Sequence, residues 1–72
     1  MNILIFKTDI KSTKSESEIR PIFNHNKTIT KWTIDKKDID NVLRIEAEES
    51  LTEKDIINLM KSSGFSCEIL ND

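Results

Sequence analysis

A chain of 72 residues with one cysteine makes at most one domain and forms no internal disulfide. A fold of this size buries only about 60% of its unfolded surface, and no cysteine–histidine cluster offers structural zinc, so stability must come from a well-patterned core. The net charge of −2 argues against a nucleic-acid-binding surface.

Taken in chain order, Asn2–Thr8 is apolar and isoleucine-rich and reads as a strand. Asp9–Lys14 reads as a polar loop. Ser15-Glu-Ser-Glu18 has the pattern of a capping box, which predicts Ser15 as N-cap and a helix over Glu16–Asn24. Ile19, Ile22 and Phe23 then share one helical face, and Pro21 falls inside the helix, beyond its first turn. Asn24-His25-Asn26-Lys27 is a turn cluster. Thr28–Asp35 reads as a second strand with Trp32 and Ile34 alternating against polar neighbours, and Lys36–Asn41 as a charged connection.

Val42–Glu48 alternates, with Leu43, Ile45 and Ala47 on one face and Arg44, Glu46 and Glu48 on the other, as an antiparallel strand with one wet side does. Thr52 is the predicted N-cap of a second helix, with Asp55 at its third position and Leu51 placed to pack on Ile56. Ile56, Ile57, Leu59 and Met60 form the buried stripe. Gly64 ends the helix in the left-handed conformation, and Phe65–Leu70 is the last strand. The order β-α-β-β-α-β predicts an α+β ferredoxin-like sandwich, a four-stranded antiparallel sheet with two helices on one face, over residues 1–72 as a single domain.

These pieces together resemble the heavy-metal-associated domains of copper chaperones and metal-transporting ATPases. The resemblance runs through Phe6-x-Thr8, Ile19…Ile22-Phe23, Trp32-Thr-Ile-Asp35, Leu43-x-Ile45 and Asp55-Ile-Ile…Lys61-Ser-Ser-Gly64-Phe65. It covers nearly the whole chain. The family carries Met-x-Cys-x-x-Cys between its first strand and first helix, and both cysteines bind metal as thiolates. Here the matching residues are Ile10, Ser12 and Ser15. Copper(I) prefers thiolate and thioether donors, and two neutral hydroxyls do not replace two thiolates. The resemblance thus implies a chaperone-like scaffold that keeps its loop packing through Ile10 and has a degenerate metal motif, with no cofactor.

Other candidates have plainer readings. An anion at the helix start near Ser15, helped by Lys11 and Lys14, is opposed by Glu16 and Glu18. Cys67 reads as a small buried apolar residue, and nothing in the sequence sets it beside the Ser12–Ser15 loop. His25, the sole histidine, reads as an exposed turn residue. Phe23 and Trp32 read as core. Ile3 and Ile5, joined by Ile29 and Leu70, are expected on the open side of the sheet as an apolar interaction face.

No nucleophile–base pair or phosphate-binding glycine loop is evident, so the chain is expected to be no enzyme. RNA-recognition domains share the topology, but the open face lacks their stacking aromatics. The longest apolar run, Ile3–Phe6, is too short to span a membrane, and no secretory leader pattern is present. The expected function is a small cytoplasmic binding or interaction domain, its partner an unnamed protein or a second copy. The alternative is residual heavy-metal binding at a non-standard or dimer-shared site using Cys67, His25 or carboxylates.

Overall fold

The computed structural model describes residues 2 to 70; the remaining three positions of the expected domain lie outside the described residues. Strand β1 (Asn2–Thr8) leads to helix α1 (Thr13–Asn24). Strands β2 (Ile29–Asp35) and β3 (Val42–Ala47), helix α2 (Glu53–Ser62) and the short strand β4 (Cys67–Ile69) follow. The sheet runs β2-β3-β1-β4 with every neighbouring pair antiparallel. This is the expected ferredoxin-like arrangement.

Alternation along the central strands decides where the core lies. Leu4 and Phe6 of β1 stand opposite Ile45 and Leu43 of β3, and all four are buried. Ile19 and Phe23 of α1 and Ile56 and Met60 of α2 close over the same face. Both helices therefore lie on one side of the sheet. Full burial of side chains such as Phe6 and Ile45 contributes about 1.5–3 kcal/mol each, the main support for so small a fold.

Helix α2 matches its sequence signals at both ends. Thr52 Oγ1 accepts the Asp55 N–H (3.3 Å), and the Asp55 carboxylate accepts the Thr52 N–H (2.9 Å), completing a capping box. That backbone bond, with the Thr52 hydroxyl beside it, holds the Asp55 carboxyl below its usual range. At the other end Gly64 has φ +85°. The Gly64 N–H donates to Lys61 O (3.1 Å) and the Phe65 N–H to Met60 O (2.9 Å), which is a complete Schellman turn.

Three expectations shift. Helix α1 begins a turn earlier than predicted: its N-cap is Ser12, not Ser15. Ser12 takes the extended backbone of a cap, and starting there gains the Glu16 N–H to Ser12 O bond (3.1 Å) and a further turn of helix. Pro21 stays inside the helix and cannot donate to the Ser17 carbonyl.

Ile29 does not join the open face. A bulge between Ile29 and Lys31 inserts Thr30, so that Ile29 stands opposite buried Ala47 and packs against the core. A one-residue insertion reverses the facing of every residue beyond it.

Strand β4 is shorter than the predicted Phe65–Leu70. The Phe65 N–H is held by the Schellman turn, and the Ser66 N–H donates to Asp9 Oδ1 (3.0 Å), so neither joins the ladder. Cys67 and Ile69 still point to the helix side, opposite Thr8 and Phe6. On an edge strand that side is poorly covered: Ile69 is exposed and Cys67 half-buried.

Candidate functional site

The end of the sheet where β1 meets α1 gathers three connections. Thr8, the last residue of β1, is buried and organises them. Its N–H donates to Asp40 O (3.0 Å) and its hydroxyl to Asn41 O (2.7 Å), while its Oγ1 accepts the Ile10 N–H (3.2 Å). The β2–β3 connection is thus tied to the loop before α1. Asn41 reaches this position with φ +46°, a left-handed conformation that asparagine tolerates better than most residues. On the other flank Asp9 holds Ser66, which ties in the α2–β4 connection.

Ile10 anchors the loop with its side chain fully buried in the core, as the sequence led us to expect of an apolar residue there. Two residues later the chain turns outward at Ser12. The Ser12 Oγ accepts the Ser15 N–H at 3.1 Å, and the Ser12 hydroxyl donates to Ser15 Oγ at 3.2 Å. The two hydroxyls therefore sit side by side in the first turn of α1. Both are neutral, hard oxygen donors, and Ser12 is already engaged as the cap. Among the described residues no group of three or more histidine, cysteine, aspartate or glutamate side chains could hold a metal ion.

Electrostatics around the first turn are set by Glu16. It accepts from Lys36 (2.8 Å) and Arg20 (3.0 Å), joining α1 to the β2–β3 connection. The Lys36 hydrogen bond, reinforced by Arg20, keeps its carboxyl below the usual glutamate range. The sequence marks Glu16 only as an anion near the helix start; its pairing with Lys36 is not legible there because Lys36 lies in a different connection, far along the chain.

Cys67 lies nearer this end than the sequence indicated. It stands opposite Thr8 and feels the charge of Asp9. Desolvation first, then Asp9 and Glu68, push its thiol up to about 12. At neutral pH it is a protonated thiol, neither a ready nucleophile nor a ready thiolate ligand. His25 caps the far end of α1 and is exposed; it is not part of this cluster.

An apolar residue that sequence reading absorbed into a charged connection stands out here. Ile39 is 93% exposed and rims an open hollow of about 300 Å³ together with Lys7, Asp9, Lys11, Ser66 and Glu68. On the open side of the sheet Ile3 (51%) and Ile5 (37%) are exposed, with half-buried Leu70 bonded through its N–H to Ile5 O. Phe23 and Trp32 belong to the core side. Their rings meet edge to face at 5.2 Å, and Trp32 Nε1–H donates to Asn24 Oδ1 (3.0 Å).

No protein-family model matches the sequence, and no curated protein matches it. Solved structures do match. The yeast copper transporter domain Ccc2a, determined in its apo and Cu(I)-loaded states, superposes with a TM-score of 0.81 at 22% identity, over 100% of this chain and 99% of that one. A chain of the Atx1–Cu(I)–Ccc2a complex gives 0.80 at 23% identity with the same coverage. A structure from work on crosstalk between Cu(I) and Zn(II) homeostasis gives 0.81 at 8% identity, over 97% of this chain and 100% of that one. What the chain shares with these proteins is the ferredoxin-like βαββαβ fold.

Proposed function

We propose that this chain is a small, non-enzymatic cytoplasmic interaction domain, acting as one unit, which uses a metal-chaperone-like scaffold without its soft-metal ligands. The observation that carries this reading is the Ser12–Ser15 pair. In a fold shared with copper-handling domains, the start of α1 presents two hydroxyls 3.2 Å apart, that of Ser12 capping the helix and that of Ser15 accepting from it. Copper(I) is a poor match for such donors. The buried Ile10 supports the same view, since it keeps the loop anchored whatever the loop binds. Contacts with protein would run through the open sheet face of Ile3, Ile5 and Leu70, where apolar side chains meet solvent.

Anaerobic native mass spectrometry of the reduced protein with one equivalent of copper(I) or zinc tests the proposal. The expected spectrum is unchanged by metal. The paired variant Ser12→Cys with Ser15→Cys serves as the positive control and should take up one copper(I) per chain. A stoichiometric metal adduct of the natural sequence would overturn the reading and make Cys67 and His25 the next residues to replace.

A further inference from the structure

The two edges of the sheet are unequal. Strand β4 has three residues, while β2 has seven and leaves its outer backbone groups without a neighbouring strand among the described residues. Such an edge is a template for another strand. The bulge at Thr30 limits the regular part of β2 to Lys31-Trp32-Thr33-Ile34-Asp35. That segment reads as cation, apolar, threonine, apolar, anion.

We infer that β2 pairs antiparallel with β2 of a second copy of this chain, with Thr33 on the two-fold axis. In this register Lys31 meets Asp35 of the second copy, Trp32 meets Ile34, and Thr33 meets Thr33. Residues opposed across an antiparallel pair point to the same face, so the sides also agree. Trp32 and Ile34 stand on the helix side opposite buried Ile45 and Leu43, and Lys31, Thr33 and Asp35 stand on the open side. Opposite charges, aromatic with β-branched residues, and threonine with threonine are the cross-strand pairs that stabilise a sheet.

The charges are available for this use. Lys31 makes no ion pair among the described residues, and Glu46, its neighbour on β3, is taken by Arg44 at 3.1 Å. Asp35 accepts the Lys37 backbone N–H (3.0 Å) and meets no cation among the described residues. Trp32 and Ile34 are only half-buried, and a second β2 would cover their outer edges. The result is an eight-stranded sheet across the dimer, held by a small contact and therefore weak and concentration-dependent.

Sedimentation equilibrium over a concentration series tests the register. The natural chain is expected to dimerise, and less so at high salt. Lys31→Asp opposes two anions across each pair, and Asp35→Lys opposes two cations; each should weaken association about tenfold or more. An equimolar mixture of the two variants restores one anion opposite one cation in both pairs, so a heterodimer should form with the affinity of the natural chain. Lys31 is exposed and makes no side-chain hydrogen bond or ion pair among the described residues, so an unchanged melt for Lys31→Asp isolates the effect from folding. A natural chain that stays monomeric throughout, variants that associate as it does, or a mixture no tighter than its components would each overturn the inference. Ile5→Glu on the open face should leave this dimer intact. Loss of the dimer there with retention in Lys31→Asp would also overturn it, and would place self-association on the open face. None of these outcomes depends on metal binding.

Discussion

Ser12 Oγ lies 3.1 Å from the backbone nitrogen of Ser15 and 3.2 Å from its hydroxyl oxygen, so the residue that starts helix α1 is also half of the pair facing solvent in its first turn. The pair supports the fold whatever else it does. A cap that uses its oxygen on a backbone N–H has less electron density to offer a ligand.

Ser12→Ala should therefore cost about 1 kcal/mol of stability, the usual loss for an N-cap. Ser15→Ala removes a hydroxyl that only accepts from Ser12, and should cost clearly less. Urea unfolding of both variants checks the order. Equal losses, or a larger one at Ser15, would contradict the cap assignment.

The Glu16–Lys36 contact predicts a pH dependence. Glu16 has a folded-state pKa below its ordinary 4.5, because of Lys36 first and Arg20 with it. Its contribution is therefore complete above 4.5 and is lost as pH falls through the lower folded value. Lys36→Met should destabilise the protein by about 0.5 kcal/mol near pH 7, a value kept small by solvent at these partly exposed groups. The gap between variant and parent should close in acid. A gap that persists at low pH would mean that Lys36 acts through packing of its alkyl chain.

Cys67 predicts the opposite trend at alkaline pH. Its thiol is raised from 9.0 to about 12 by burial, Asp9 and Glu68, so the fold favours the protonated form. That contribution is complete below about 9 and is lost as pH rises toward 12. Cys67→Ser should flatten the decline in stability above pH 9. Iodoacetamide should modify the native thiol slowly at neutral pH and rapidly once the chain is unfolded. Fast labelling of the folded protein would show a thiolate that this environment does not favour.

Gly64 predicts a cost of backbone strain without a clash. Its φ is +85°, and a Cβ built there meets nothing within 4 Å. Gly64→Ala should therefore cost about 1 kcal/mol from the left-handed backbone alone. Thermal unfolding measures it. A neutral outcome would mean that the Schellman turn gives way to another helix end.

Much of this architecture can be read from local pattern. The alternation in Asn2–Thr8 and Val42–Ala47 names the inward residues of the two central strands. The Thr52–Asp55 box and Gly64 mark both ends of α2, because each acts through neighbours a few residues away. The start of α1 is ambiguous for the same reason. Ser12 and Ser15 both have the chemistry of a cap, and only the extended backbone at Ser12 separates them.

By itself, then, the sequence determined the order of elements, the composition of the core and the hydroxyl chemistry of Ser12 and Ser15. Those depend on residue type and short spacing. The tertiary structure decided what depends on distant partners. It turned Ile29 inward through a bulge that has no local signature, and shortened β4 because Asp9 captures the Ser66 N–H. It joined Glu16 to Lys36, set Cys67 opposite Thr8, and put Lys31–Asp35 on the outermost strand of the sheet. Each of these is a relation between segments far apart in the chain, and no period or motif within either segment encodes it.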